Sequence, residues 1–215
     1  MIELDAIFFD VDGTLVDATR DIVNATNFML RTLGHKEKPY KEIVSHIGTG
    51  VSDLIRKSLE VSSRDPLVKK GVELYGNYYV GHAVDEAILY PHVRDVLKHF
   101  KGKRKFVLTN RYKRFAEKVL EAFEIDKYFE AVIGGDDEEC LKPMKCLIDR
   151  TFSKFSVDHK KAMIVGDMDI DVMTGKNSGV ATCFVTYGLG KASDVMKLKP
   201  DYVIDDIAEL KKFVM

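Results

Sequence analysis

The sequence lacks an excess of charge of either sign. Its 33 basic and 34 acidic side chains leave a formal net charge of −1. A nearly neutral chain has no overall field that would draw it to nucleic acid or to an anionic membrane. We therefore expect no nucleic-acid partner, and any charge that the function needs must be concentrated locally.

Long hydrophobic runs and a basic N-terminal segment are also missing. A membrane-spanning helix needs about 20 consecutive apolar residues, and the apolar runs of this chain are only a few residues long. The first five residues (MIELD) contain none of the positive charge that opens a secretory signal. We expect a cytoplasmic protein with no membrane partner.

Cysteine is scarce, with only Cys140, Cys146 and Cys183 in the whole chain. Three thiols are too few for a disulfide framework, and their spacing matches no zinc-binding pattern. Thiols of cytoplasmic proteins are normally reduced. We predict three reduced cysteines with structural roles.

Short apolar runs recur along most of the chain, as buried strands do. They cover residues 4–10, 105–109, 131–134, 162–166, 181–186 and 202–204. Apolar residues at helical spacing separate most of these runs. Strands that alternate with amphipathic helices predict right-handed βαβ units. We therefore predict an α/β fold with a doubly wound, Rossmann-like parallel sheet and a ligand crevice at the carboxyl ends of its strands.

One stretch early in the chain interrupts this alternation. From about residue 17 to residue 87 the sequence shows helical periodicity, as in Ile22, Thr26, Met29 and Leu30, but no convincing strand. Pro91 follows the stretch and suits the first turn of a new helix. We predict a small all-helical cap over residues 17–87, carried on a catalytic core of residues 1–16 and 88–215.

Carboxylates follow two of the predicted strands. Asp10 and Asp12 come at the end of the first run, where Gly13 allows a sharp turn and a close approach to an anion. Asp167 and Asp171 follow the fourth run. We expect all four carboxylates in one crevice, where like charges repel strongly unless a cation lies among them. Ligand sets made only of oxygen favour magnesium over zinc or copper.

Groups suited to phosphate follow other parts of the predicted sheet. Thr109 and Asn110 end the second run and offer a hydroxyl, an amide and backbone donors, and Lys142 precedes Pro143 at the start of a helical stretch. Each has an ordinary alternative as a cap, a turn or a solvated surface lysine. Together with the four carboxylates, they favour an active site that binds magnesium and a phosphate.

The four motifs resemble those of the haloacid-dehalogenase-like phosphohydrolases across nearly the whole chain. Residues 10–14 (DVDGT) are similar to the nucleophile motif, residues 109–110 (TN) to the second motif, residues 142–143 (KP) to the third, and residues 166–171 (GDMDID) to the metal motif. The helical insert directly after the first motif is similar to the cap of the phosphoglycolate-phosphatase-like branch.

This resemblance implies roles for the four carboxylates. Asp10 attacks phosphorus and forms an aspartyl-phosphate, and Asp12 serves as acid and then as base. Mg²⁺ is bound by the carboxylates of Asp10 and Asp167 and by the backbone carbonyl of Asp12, with Asp171 farther from the ion.

The resemblance also implies which residues bind the substrate. Thr109, Asn110 and Lys142 hold the phosphoryl oxygens, where charge stabilisation matters most. Residues 47–50 (IGTG) and the following LIR sequence resemble the substrate loop and helix of the cap, so that Arg56 is a candidate contact for a substrate carboxylate.

The implied function is a Mg²⁺-dependent phosphatase that acts on a small phosphorylated metabolite such as phosphoglycolate. A pyrophosphatase, a nucleotidase and a sugar-phosphate mutase are alternatives within the family. A haloacid dehalogenase proper is disfavoured, because it attacks carbon and has no use for Asp12 or a metal. A receiver-type signalling module also carries clustered acids and a phosphorylatable aspartate, but such modules are far shorter and lack an insert of this length.

Overall fold

The computed structural model describes all 215 residues, and its centre is a six-stranded parallel sheet. The strands of the chain are β1 (Ala6–Phe9), β2 (Val16–Asp17), β3 (Ile88–Leu89), β4 (Arg104–Leu108), β5 (Ala131–Ile133), β6 (Ala162–Gly166), β7 (Ala181–Val185) and β8 (Tyr202–Ile204). The large sheet has the order β5-β4-β1-β6-β7-β8, and all of its neighbouring strands are parallel. The predicted parallel α/β fold is confirmed.

The central strand β1 is buried on both faces, which explains its unbroken apolar sequence. Alternate side chains of the strand enter two different clusters. Phe8 stacks on Phe106 and packs with Phe152 in the cluster on one face of the sheet. Phe9 lies in the cluster on the other face. Phe9 pairs with Val165, so β1 and β6 end at the same level of the sheet.

Helices connect the strands and cover both faces. They are α5 (Val93–His99), α6 (Lys113–Ala122), α7 (Cys146–Phe155), α8 (Asp169–Ser178) and α9 (Ala192–Val195). Near the end of the chain, residues Ile207–Lys212 form a 3₁₀ helix. Asp206 caps this helix, and Val214 beyond it pairs with Ile2.

Between β2 and β3 the chain is helical, as predicted, and forms the helical insert. Its helices are α1 (Thr19–Thr32), α2 (Tyr40–Val44), α3 (Val51–Leu59) and α4 (Pro66–His82). β2 and β3 pair with each other in antiparallel fashion at the two junctions of the insert. No helix of the chain combines the length and the apolar character needed to cross a bilayer. The domain bounds at residues 16/17 and 87/88 stay a prediction.

The helical insert shares an apolar core with one face of the sheet. Buried side chains of the insert, including Ile55, Tyr75 and Tyr79, belong to the same cluster as Val107 and Phe115. Tyr75 and Tyr79 stack with ring centroids 5.4 Å apart, and the ring of Tyr79 lies 5.2 Å from that of Phe115 on α6. Apolar packing therefore holds the insert against the edge of the sheet where β1, β4 and β6 end.

The cysteine prediction was wrong. Cys140 and Cys146 form a disulfide with their Cα atoms 5.9 Å apart, and Cys183 is a free, buried thiol. The loop between β5 and α7 doubles back and brings the two cysteines within the reach of an S–S bond. The number of cysteines in a sequence carries no information about such a loop.

The shared core yields a stability prediction. Ile55 is fully buried in the helical insert, in the cluster that also contains side chains of the sheet, so Ile55→Ala should lower the free energy of unfolding by about 2 to 5 kcal/mol. Ile88, which is 59% exposed, is the matched control. Ile88→Ala should change the free energy of unfolding by less than about 0.5 kcal/mol. Urea denaturation measures both, and equal losses would contradict a core that runs through the insert.

Candidate active site

The predicted acidic residues converge at the carboxyl ends of β1 and β6. Asp10 directly follows β1, Asp167 directly follows β6, and Asp171 lies in the first turn of α8. One carboxylate oxygen from each of these buried residues lies within 4.8 Å of the other two. The side chain of Asp12 does not join them, because it pairs with an arginine on the neighbouring strand end.

Lys142 lies among these carboxylates. Its Nζ is 2.9 Å from Oδ1 of Asp10 and 2.7 Å from Oδ1 of Asp171. Burial, reinforced by the charges of Asp171 and Asp10, raises the pKa of Asp167 well above its ordinary value. Burial also raises the pKa of Asp171 to about 6, although Lys142 opposes the shift. One ammonium group does not balance three carboxylates, and a hard divalent cation with oxygen ligands fits this donor set.

Further hydrogen bonds orient the carboxylates of Asp167 and Asp171. Thr14 Oγ1 donates to Oδ1 of Asp167 over 2.9 Å, and the backbone N–H of Leu189 donates to Oδ2 over 2.7 Å. The N–H of Met168 donates to Oδ2 of Asp171 over 3.0 Å. Asp171 therefore accepts a hydrogen bond at the start of α8 with one oxygen and binds Lys142 with the other.

Gly13 lets the loop after β1 lie close to the carboxylate of Asp167. Its φ is +79°, in the left-handed region, and a Cβ atom added there would lie 2.2 Å from Oδ2 of Asp167. Any side chain at this position would displace the carboxylate. Position 13 therefore requires glycine for two reasons, the left-handed backbone conformation and the lack of space beside Asp167.

Thr109 and Asn110 lie at the end of β4, beside the carboxylates, and both line a small cavity there. The amide nitrogen of Asn110 donates to the carbonyls of Gly48 and Lys142 over 2.9 and 3.0 Å, and its Oδ1 accepts the N–H of Lys142 over 2.7 Å. The Asn110 side chain therefore holds Lys142 in place and ties it to the helical insert. The backbone N–H groups of Asp12 and Asn110 donate to no protein acceptor and are the groups suited to an oxyanion.

Arg111 is a residue of the site that the sequence analysis missed. Its guanidinium is buried and binds Asp12 through two hydrogen bonds, with Nε 2.9 Å from Oδ2 and Nη2 bonded to Oδ1. Nη1 donates to the hydroxyl of Tyr79 in the helical insert. Burial raises the pKa of Asp12 above its ordinary value, although Arg111 acts in the opposite direction. The sequence did contain one indication of this role, because Arg111 directly follows Thr109 and Asn110 of the second motif.

Two cavities lie between the insert and the sheet. The inner cavity, of about 40 Å³, is lined by Asp10, Asp12, Arg111 and Lys142 among others. The outer cavity, of about 550 Å³, is lined largely by α3, α4 and the loop between them, and it contains Arg56. Arg56 pairs with Asp53 over 2.6 Å and is not brought together with the buried carboxylates Asp10, Asp167 and Asp171.

Residues 7–185 match the sequence profile of the haloacid dehalogenase-like hydrolases, which covers most of the chain. The chain belongs to this family. It is 30% identical over 220 residues to a phosphoglycolate phosphatase of Vibrio parahaemolyticus, with 99% of this chain and 96% of the relative covered. It is 29% identical to a phosphoglycolate phosphatase of Aquifex aeolicus, with 93% and 98% covered.

The fold agrees with this assignment. A crystal structure of a predicted phosphoglycolate phosphatase from Haemophilus somnus matches this chain with a TM-score of 0.90 at 27% identity, over 99% of this chain and 98% of that chain. The resemblance found in the four motifs therefore extends to the whole fold, including the helical insert.

Two glycines of nearly equal conformation test the close approach at Asp167. Gly13 and Gly34 have φ values of +79° and +80°, but a Cβ atom at Gly34 would meet nothing within 4 Å. Gly34→Ala should lower the free energy of unfolding by about 1 to 2 kcal/mol. Gly13→Ala adds the overlap with Asp167 and should lower it by about 2 to 5 kcal/mol. Equal losses in urea denaturation would contradict a steric role for Gly13.

The raised pKa values of Asp167 and Asp171 predict a pH dependence of stability. Above about pH 4 the folded state holds protons that the unfolded state has released, so these groups lower the free energy of unfolding as pH rises. In EDTA, wild type should therefore lose stability relative to Asp167→Asn between pH 4 and 7. Added Mg²⁺ should reduce this loss if it binds the folded carboxylates. If the free energy of unfolding of wild type in EDTA instead rose relative to that of Asp167→Asn between pH 4 and 7, the raised pKa of Asp167 would be refuted.

Proposed function

We propose that this protein is a magnesium-dependent phosphatase that hydrolyses a small phosphoester through an aspartyl-phosphate on Asp10. The observation that carries the proposal is the buried cluster of Asp10, Asp167 and Asp171 around Lys142, with Asp12 next to it on the same crevice. Lys142, free backbone donors and a cation held by the carboxylates would neutralise and position a phosphoryl group, which is most of what phosphoryl transfer requires.

Asp10 has the contacts of a nucleophile. Its two protein partners, the N–H of Val11 and the Nζ of Lys142, both bind Oδ1, so Oδ2 has no protein partner. Oδ2 attacks phosphorus, and the bond between phosphorus and the leaving oxygen breaks. Lys142 and the backbone N–H groups of Asp12 and Asn110 hold the phosphoryl oxygens during this step.

Asp12 moves the protons. Its raised pKa favours the protonated form that an acid needs, and Arg111 fixes the orientation of its carboxyl group. Asp12 gives its proton to the leaving oxygen in the first half-reaction. In the second half-reaction it accepts a proton from the water that attacks the phosphorus of the aspartyl-phosphate, and Asp10 is released.

Mg²⁺ fits the remaining oxygen donors of the site. The carboxylates of Asp10 and Asp167 and the backbone carbonyl of Asp12 would hold it, with Asp171 beside them and bound to Lys142. Bound there, the ion would neutralise negative charge that builds up on the phosphoryl oxygens.

The substrate should be small. The inner cavity of about 40 Å³ has apolar walls on the side of the insert, formed by Ile22, Ile47, Val51 and Leu54. Phosphoglycolate, named for the relatives, is one small phosphorylated metabolite of this kind. Arg56 remains a proposed contact for substrates in the outer cavity. We also propose that the enzyme acts in the cytoplasm, where such metabolites occur.

Phosphate release from a panel of small phosphoesters tests the function. With Mg²⁺, wild type should hydrolyse at least one of phosphoglycolate, pyrophosphate, nucleoside monophosphates and sugar phosphates. Asp10→Asn removes the nucleophile and should lower kcat by about 10⁴-fold or more. Asp169→Asn is the matched control, because this neighbouring carboxylate bonds only to the N–H of Ile170 and lies outside the cluster.

The outcomes separate the proposal from its rivals. Loss of turnover in Asp10→Asn with retention in Asp169→Asn supports an aspartyl-phosphate pathway. A wild type that isomerises sugar phosphates without releasing phosphate would be a mutase. A wild type that binds Mg²⁺, accepts a phosphoryl group and keeps it would be a phosphoacceptor module, and the proposed hydrolysis would be wrong.

A further inference from the structure

We propose that Arg111 binds a carboxylate on the leaving group of the substrate and is the residue that selects carboxylated phosphoesters. The inference rests on the proposed phosphatase function and adds a specificity-determining residue to it. Four observations lead to it: the unused hydrogen-bond donors of Arg111, the charges of the inner cavity, the position of Asp12, and the contact with Tyr79.

The first observation is a count of donors. A guanidinium group has five N–H bonds, one on Nε and two on each Nη. Three of the five are used in this structure, two by Asp12 and one by the hydroxyl of Tyr79. One N–H on each Nη therefore has no protein acceptor, although the side chain is 95% buried. Buried donors are normally satisfied, and unused ones that border a cavity point to a ligand.

The second observation concerns the charges around the inner cavity. Its lining includes two cationic side chains, Lys142 and Arg111. Lys142 lies between Asp10 and Asp171, on the side where the phosphoryl group binds. Arg111 is the one cation left for the rest of the substrate, whose other surroundings are mainly apolar side chains of the insert. A small leaving group with a single carboxylate matches this distribution.

The third observation is the position of Arg111 next to the proposed proton donor. Arg111 holds both carboxylate oxygens of Asp12, the residue that protonates the leaving oxygen. A carboxylate bound at the remaining N–H groups of Arg111 lies beside that leaving oxygen. The planar fork of arginine can bind two carboxylates along different edges, which a lysine ammonium cannot do with the same geometry.

The fourth observation links this position to the helical insert. Nη1 of Arg111 bonds to the hydroxyl of Tyr79, and the guanidinium lies 5.0 Å from the centre of the tyrosine ring. Tyr79 is fully buried on α4 and has no other side-chain partner for its hydroxyl. The arrangement of Arg111 is therefore completed only when the insert lies against the sheet.

The test compares two substrates that differ in the carboxylate. Phosphoglycolate and ethyl phosphate have the same two-carbon chain, and the readout is the ratio of their kcat/KM values. In wild type we expect this ratio to favour phosphoglycolate. Arg111→Gln should lower the ratio about 10- to 100-fold, because charge-assisted hydrogen bonds to the carboxylate are lost. Arg111→Lys, which keeps the charge without the fork, should give an intermediate ratio.

The ratio distinguishes a specificity residue from a positioning residue. If Arg111 acted only through Asp12, Arg111→Gln would slow both substrates by the same factor, and the unchanged ratio would overturn the inference. Arg64, an exposed arginine that lines the outer cavity, is the matched control, and Arg64→Gln should leave the ratio unchanged. Arg56→Gln tests the rival contact. A ratio that follows Arg56 instead of Arg111 would assign carboxylate recognition to the outer cavity.

A measurement on wild type covers the case in which Arg111→Gln does not fold. Glycolate and glycolamide differ only in charge at the group that Arg111 would bind, and glycolate should inhibit ethyl phosphate hydrolysis at about tenfold lower concentration. Equal inhibition would contradict the inference. A wild type that hydrolyses neither phosphoester nor any other member of the panel would refute the phosphatase function itself, which is a different result.

Discussion

The ion pairs of Lys142 with Asp10 and Asp171 are the interaction on which the site depends. They join the end of β1, the loop before α7 and the start of α8 in a place shielded from water. A buried carboxylate is destabilising unless it is paired and hydrogen-bonded. Lys142 supplies the charge, and Asn110 fixes its backbone through both the N–H and the carbonyl. Each of the four motifs thus contributes one member to this hydrogen-bonded unit: Asp10, Asn110, Lys142 and Asp171.

Hydrogen bonds also connect the end of β4, beside the carboxylates, to the helical insert. Asn110 bonds to the carbonyl of Gly48, and Arg111 bonds to Tyr79, so two neighbouring residues at the end of β4 both hold the insert. At the second junction of the insert, the carboxylate of Asp21 accepts the N–H groups of Glu86 and Ala87. Moving the insert away from the sheet would break the contacts of Asn110 and Arg111 but not the ion pairs of Lys142.

Much of this arrangement could be predicted from the sequence. The strands were evident because burial on both faces demands continuous apolar runs, and the convergence of Asp10, Asp167 and Asp171 followed from the rule that parallel strands end at one edge. Arg111 was missed because its partner, Asp12, is 99 positions away and an isolated arginine is usually solvated. The tie that Asn110 makes to Lys142 was missed for a related reason, since a polar residue after a strand does not reveal which loop will pass beside it.

The apolar core that the insert shares with the sheet gives the opening of the site a thermal signature. Tyr75, Tyr79 and Phe115 are almost completely shielded from water while the insert is in place. Separating α4 from α6 would hydrate these rings, and hydration of apolar surface carries a positive heat-capacity change. The balance between open and closed forms then follows a curved function of temperature. If opening of the site limits the rate, the Eyring plot of that rate should be curved. If chemistry inside the closed site limits the rate, hydration of these rings adds no curvature to the plot.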